Sequence, residues 1–197
     1  MKKHTLPVFD AHQLASKLLD GSPALFPTDT LPALAALPRD ASMLWDLKQR
    51  PKHKPLILMA AEAAPLMELM YEETRHAADS LIRRYWPGAL TLVVPYQGSV
   101  LESLNPCGSS IGMRVPNCEA TRQLLSMSGP LATTSANLSG QPPCKSAELA
   151  AQCFPGLPLL GPLPWLVPSG VASTVLAWEE AGHWQVLRQG AVMAELP

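Results

Sequence analysis

The stretch Leu131-Ala132-Thr133-Thr134-Ser135-Ala136-Asn137-Leu138-Ser139-Gly140-Gln141-Pro142-Pro143 narrows the folds open to this chain more than any other segment. It starts as a short apolar run that favours β-structure, passes through small hydroxyl and amide residues, and closes on a Gly-Gln-Pro-Pro turn. That grading predicts a strand that leaves a core and opens into a polar loop. Open α/β sheets hold ligands in such loops, beyond the carboxyl ends of their strands. Thr133, Thr134, Ser135, Asn137 and Ser139 offer donors and acceptors without net charge. Two readings fit: a wall that grips a nucleotide or an amino acid, or a turn whose Ser and Asn bond only their own backbone.

The rest of the chain supplies partners for that strand. Leu56-Ile57-Leu58-Met59-Ala60 is a continuous apolar run of strand length, suited to a sheet covered on both faces. Ala24-Leu25-Phe26-Pro27 reads as a short buried strand that delivers Thr28-Asp29-Thr30 to a loop, and Pro32 stops the strand there. Ala89–Val94 and Ser110–Pro116 add two more strands, the second with Ser110, Gly112 and Arg114 on one side. Helices are expected from Asp10 as cap (Leu14, Leu18 and Leu19 inward) and from Asp40 as cap (Met43, Leu44 and Leu47 inward). Others are expected over about 62–70 and 72–85, after Asn117 (Leu124 and Leu125), and over Ser146–Cys153. Ser173–Trp178 and His183–Arg188 form a hairpin around Glu-Glu-Ala-Gly. Strands interspersed with helices but ending in a hairpin imply a mixed α/β sheet. With no repeat or linker, the 197 residues read as one domain, 1–197.

Bulk properties exclude several classes. Charged residues are 16% and apolar residues 47%, so the chain folds rather than staying disordered. A formal charge of -1 argues against general basic attraction to nucleic acid and leaves room for a local patch. Met1-Lys2-Lys3-His4 opens like a signal peptide, but Leu6-Pro7-Val8-Phe9-Asp10 breaks the apolar run. With no spanning stretch either, a cytoplasmic, membrane-free protein is expected. Cys107, Cys118, Cys144 and Cys153 show no C-x-x-C pair and no zinc-finger spacing, so free thiols are expected and no metal site.

Cations supply the candidate chemistry. Lys48, Arg50, Lys52 and Lys54, with His53, crowd the end of a helix in a loop stiffened by Pro51 and Pro55. A helix carboxyl end favours cations in any case, yet a fixed cluster also suits phosphate. Arg114 is a lone Arg in an apolar strand and needs a partner, either an internal Asp or a ligand carboxylate or phosphate. No Walker A loop, G-x-G-x-x-G, H-E-x-x-H or G-x-S-x-G elbow occurs, and no His or acid is placed to activate Ser135. Binding and orientation fit better than covalent catalysis.

Seven short motifs then carry a specific resemblance. They are Pro27-Thr28-Asp29-Thr30, Leu47-Lys48-Gln49-Arg50-Pro51 with Lys54-Pro55-Leu56, Trp86-Pro87-Gly88-Ala89-Leu90-Thr91, Met113-Arg114-Val115-Pro116, Thr134-Ser135-Ala136-Asn137-Leu138-Ser139-Gly140, Ser173-Thr174-Val175 and Leu187-Arg188-Gln189-Gly190. In this order, over about residues 10–192, they resemble the short-form YrdC-like threonylcarbamoyl-AMP synthases. The resemblance implies a YrdC/RibB-like α/β fold, a twisted mixed sheet with flanking helices around a large concave cavity. It implies a nucleotidyltransferase that makes threonylcarbamoyl-AMP and pyrophosphate from L-threonine, bicarbonate and ATP, with Mg2+. A partner complex would then pass the threonylcarbamoyl group to tRNA.

The family's catalytic tetrad falls on Lys48, Arg50, Ser135 and Asn137. Its ATP contacts fall on Arg50, Lys54, Ser110, Ser135 and Arg188, and its threonine contacts on Thr30, Arg114, Thr133 and Ser173, with Arg114 as the carboxylate partner. The chain departs from the family pattern at Pro32-Ala33, Met59, Ala172 and Gln189, which bear mostly on the amino-acid side. It is too short to hold the second domain of the long members. Competing readings on the same fold are a double-stranded RNA or tRNA-binding module, a ribosome-assembly factor, and a YciO-like paralogue. The intact tetrad favours the synthase over the paralogue, and the near-neutral charge disfavours RNA binding as the sole role.

Overall fold

The apolar run Leu56–Ala60 supplies a strand, Ile57–Met59, in the middle of the sheet, but Ile57 is only half-buried, so the expected cover on both faces is incomplete there. In the computed structural model, residues 6–166, 169–179 and 182–196 are described. The signal-like Met1-Lys2-Lys3-His4 and the centre of the Glu-Glu-Ala-Gly turn lie outside them. The strands are β1 (Val8–Phe9), β2 (Ala24–Phe26), β3 (Ala33–Ala36), β4 (Ile57–Met59), β5 (Leu90–Pro95), β6 (Ser110–Arg114), β7 (Leu131–Ser135), β8 (Leu159–Leu160), β9 (Thr174–Glu179) and β10 (His183–Arg188). The helices are α1 (Ala11–Leu19), α2 (Ser42–Lys48), α3 (Ala64–Met67), α4 (Glu72–Tyr85), α5 (Ser99–Leu104), α6 (Glu119–Ser128) and α7 (Ala147–Cys153).

The strands form one sheet in the order β1-β8-β2-β3-β7-β4-β6-β5-β9-β10. It is mixed, as expected: β4 runs parallel to β6 and antiparallel to β7, and β9 and β10 form the antiparallel hairpin. Alternation along each strand divides the buried side chains between two cores. Leu34, Leu58, Leu92, Met113 and Ala132 belong to the larger core, with Trp45 and Leu81 of the helices. Ala33, Ala35, Met59 and Leu131 point the other way, where the second core continues through Leu14 and Leu18 of α1 and Leu124 and Leu125 of α6. Each such fully buried leucine contributes about 1.5–3 kcal/mol relative to exposure. Among the described residues, the second face is left open beyond α1 and α6.

Helix α1 follows its sequence closely. Asp10 accepts from the Gln13 backbone N–H at 2.8 Å, and Gln13 Oε1 accepts from Asp10 N–H, completing a capping box worth about 1 kcal/mol. Leu19, however, is 48% exposed; Ala11 and Ala15 take the inward positions with Leu14 and Leu18.

Two other expected caps are corrected. A short 3-10 turn, Pro38–Asp40, precedes α2, so Ala41 is its cap residue and Asp40 is spent before the helix begins. Leu44 and Trp45 face inward from α2, while Met43 is exposed and Leu47 half-buried. Cys118, not Asn117, occupies the cap position of α6, and the Asn117 N–H donates instead to Asp29 Oδ1 at 3.0 Å. Strands β1, β3 and β8 and helix α5 are additions. Pro32 does end the local run, but Ala33–Ala36 resumes at once as a strand wedged between β2 and β7.

The end of β10 is pinned back against the segment before β9. The Thr174 hydroxyl accepts from the Gly190 N–H at 3.0 Å, and a Cβ on Gly190 would lie 2.3 Å from the Ala172 carbonyl oxygen. Only glycine allows that approach to the backbone beside Ser173. Gly190→Ala should therefore cost about 1–3 kcal/mol, read as a lowered urea midpoint at unchanged slope, and an unchanged midpoint would contradict this packing.

Candidate functional site

A cavity of about 300 Å³ occupies the open part of the second sheet face. Its floor is Ile57 and Met59 of β4, with Thr133 and Ser135 of β7 beside them. By register Arg114 pairs with Met59, and Met59 with Leu131, four residues before Ser135. Arg114 and Ser135 therefore stand about 13 Å apart along the strand direction. Their surroundings differ in chemistry.

At the Ser135 end the organising group is the Lys48 ammonium. Lys48 is 1% exposed, and its Nζ donates to the Ser135 carbonyl at 2.5 Å, to the Asn137 carbonyl, and to Asn137 Oδ1 at 3.3 Å. All three donors are used. The Ser135 hydroxyl donates to the same Oδ1 at 2.6 Å, and Asn137 Nδ2 donates to the carbonyls of Leu138 and Gln141. The Ser139 N–H returns to the Lys48 carbonyl at 3.0 Å. The polar loop thus combines both readings of its sequence: it is bonded to itself and still presents Ser135 and Asn137 to the cavity. Burial first, and then the charge of Arg50, bring the Lys48 pKa from 10.5 down to about 8. Lys48 remains cationic at neutral pH, as three oxygen acceptors require.

The expected cation cluster divides. Gln49 takes a left-handed conformation that ends α2, and Arg50 turns towards the cavity. Its guanidinium donates to the carbonyls of Lys54 and Pro55, at 3.3 and 3.0 Å, and stays charged although burial lowers its pKa. Lys52, His53 and Lys54 are exposed outside the lining. Ser110 also lies outside it, in a neighbouring hollow of about 820 Å³ with Tyr96, Trp178 and Leu187.

At the other end Arg114 is 4% exposed. Its Nε donates to the Gly88 carbonyl at 2.9 Å, Nη1 to the Thr30 hydroxyl at 2.9 Å, and Nη2 to Asp29 Oδ1 at 2.6 Å. The internal Asp that the sequence left open is therefore Asp29. Two of the five guanidinium N–H groups, one on each terminal nitrogen, remain for a ligand. Thr28 Oγ1 and Thr30 Oγ1 are within hydrogen-bonding distance at 3.0 Å, and Thr28 donates to the Leu31 carbonyl at 2.7 Å. Arg188 reaches in from β10 and donates to the Ser173 carbonyl at 2.8 Å, and Ser173 pairs with Thr91 at 2.8 Å. Thr133 donates to the Ile57 carbonyl at 3.1 Å.

The cavity therefore gathers Arg50, Ser135, Asn137, Thr30, Arg114, Thr133, Ser173 and Arg188, sets Lys48 behind its wall, and leaves Lys54 and Ser110 outside. Sequence reasoning missed Thr28, Asp29 and Thr91 as site residues. For Asp29 a signal existed, since a lone buried Arg requires a carboxylate somewhere in the chain. The departures Pro32, Ala33, Met59 and Ala172 all line this cavity.

A family model described as "Telomere recombination", Sua5/YciO/YrdC, matches residues 16–190. The chain belongs to this family. Within the Sua5/YciO/YrdC family it is 34% identical over 146 residues to the threonylcarbamoyl-AMP synthase of Pyrococcus abyssi, covering 72% of this chain and 43% of that protein. It is 36% identical over 141 residues to the threonylcarbamoyl-AMP synthase of Yersinia pestis, covering 68% and 74%. The crystal structure of P. abyssi Sua5 complexed with L-threonine superposes with a TM-score of 0.83 at 30% identity, over 91% of this chain and 54% of that one. The chain thus spans less than half the length of some curated relatives that it matches.

Two outcomes follow from the geometry of the site. Asp29→Ala strands the Arg114 charge in the interior and should cost about 3–5 kcal/mol in urea denaturation; a loss below about 1 kcal/mol would place the compensation of Arg114 elsewhere. The second concerns Lys48, whose folded pKa of about 8 lies below its unfolded value, so the unfolded chain holds more protons above pH 8. Stability relative to Lys48→Met should therefore rise from pH 8 towards 10.5, and a flat or falling difference in urea midpoints would contradict this.

Proposed function

We propose that this chain is an L-threonylcarbamoyladenylate synthase, a nucleotidyltransferase that joins L-threonine, bicarbonate and ATP and releases pyrophosphate. The observation that carries the reading is the two-ended cavity. One end holds a buried arginine with two N–H groups to spare, and the other holds an uncharged hydroxyl and amide wall with Arg50 beside it and the Lys48 charge behind it. The names of the relatives and the threonine carried by the P. abyssi structure support the same assignment.

The proposed reaction follows from this arrangement. The spare N–H groups of Arg114 take the threonine carboxylate, with Thr30, Thr133 and Ser173 around it. The threonine amine adds to CO2 derived from bicarbonate, and a carbamate oxygen attacks the α-phosphorus of ATP as pyrophosphate departs. Arg50, backed by Lys48, offsets charge on the phosphates, and Ser135 and Asn137 orient the nucleotide. Arg188, beside Ser173, would lie where the adenylate and amino-acid ends meet, while Lys54 and Ser110 would reach the nucleotide from the rim. Holding both reactants in one cavity supplies much of the acceleration.

Among the described residues there is no group of three or more His, Cys, Asp or Glu side chains able to hold a metal ion. Magnesium would enter with ATP as part of the substrate, bound by phosphates and water. The product would pass to a transfer complex acting on tRNA in the cytoplasm, and one domain would suffice for the adenylation.

Purified protein given ATP, L-threonine and bicarbonate should release pyrophosphate in a threonine-dependent manner, and its absence would overturn the proposal. Arg50→Ala should lower that turnover by about two to three orders of magnitude. An unchanged rate in this variant would mean that the phosphates lie elsewhere.

A further inference from the structure

Cys144 and Cys153 lie nine residues apart in the chain, yet their sulfurs approach to 3.3 Å. Cys144 is 5% exposed and directly follows Pro143, which lines the cavity. It ends the loop that begins at Asn137 and includes Gln141, whose carbonyl accepts from Asn137 Nδ2 at 2.7 Å. Cys153 is the last residue of α7 and is half-buried. Helix α7 is itself anchored, by the buried Ala147 and Ala150 along its length and the buried Phe154 just past its end. The two thiols therefore join the loop of the site to a fixed helix.

We propose that Cys144 and Cys153 are a modification site, which forms a reversible disulfide by exchange with a low-molecular-weight disulfide and so tethers the 137–144 loop to α7. This inference concerns the thiols alone and does not depend on the proposed activity. A disulfide bond is about 2.05 Å long, so the sulfurs need to close by only about 1.2 Å.

The two sulfurs have different parts. Burial, and then the hydrogen bond with Cys153, push the Cys144 thiol up to about 12, which makes it a poor first nucleophile. Cys153, the more accessible sulfur, attacks one sulfur of the small disulfide and expels one small thiol. The Cys144 sulfur then attacks Cys153 Sγ and expels the second. The pair loses two electrons and two protons, and the small disulfide is reduced to two thiols. Proximity makes the second step fast despite the raised pKa.

The test treats the native chain with glutathione disulfide, alkylates the remaining thiols, and maps them by mass spectrometry. The expected product is a peptide pair linked through Cys144 and Cys153 that dithiothreitol separates, with amide exchange over residues 138–146 slowed about threefold or more. Cys144→Ser should instead trap a stable glutathione adduct on Cys153, and Cys153→Ser should leave Cys144 unmodified. Several results would overturn the proposal: both thiols alkylated in the wild-type chain, a lasting glutathione adduct on wild-type Cys153, or unchanged exchange in the linked form. Circular dichroism of the variants separates these outcomes from a failure to fold.

Discussion

The Lys48 ammonium, buried among oxygens of Ser135 and Asn137, is the interaction on which the site depends. It joins residues 87 and 89 positions apart and ties the end of α2 to the end of β7. An ammonium taken out of water is costly; its three oxygen acceptors offset part of that cost, and the pKa lowered to about 8 records the part they leave. The acceptors are mostly backbone carbonyls, so the charge fixes the path of the chain and not merely the pose of a side chain. Ser135 and Asn137 can then face the cavity with rotamers already set. Without the ammonium, carbonyls at the head of the loop would converge with nothing between them.

The same economy governs the opposite end. Arg114 is satisfied by Gly88, Thr30 and Asp29, and Asp29 in turn receives the Asn117 N–H, so a strand, two loops and the entrance to α6 meet at one guanidinium. Neither buried cation lacks an internal partner. The difference is that Lys48 has no donor to spare and Arg114 has two. That asymmetry leaves Lys48 wholly occupied within the fold and Arg114 with donors to offer, while Arg50 and Arg188, each held by backbone carbonyls, bring further charge to the cavity.

Much of this was legible in the sequence where local chemistry decides. The Asp10 capping box, the buried Leu56–Ala60 run and the terminal hairpin follow from residues near one another in the chain. Strand β3 was hidden because alanine favours helices and Pro32 signals a stop, whereas the close passage between β2 and β7 selects small side chains there. Asp40 and Asn117 look like helix caps, but the chain around them spends one in a preceding turn and lends the other's N–H to Asp29. The four-cation cluster was adjacent in sequence and is divided in space, because a single left-handed residue, Gln49, reverses the chain between Lys48 and Arg50. Pairings such as Arg114 with Asp29, 85 residues apart, are fixed only by the assembled sheet.

The most direct measurement is a crystal structure of this chain with L-threonine and a non-hydrolysable ATP analogue. The threonine carboxylate is expected on the two unused N–H groups of Arg114, the phosphates beside Arg50, and Lys48 Nζ still on the carbonyls of Ser135 and Asn137. A Lys48 side chain that had left those carbonyls to bind phosphate, or a carboxylate seated away from Arg114, would contradict this arrangement.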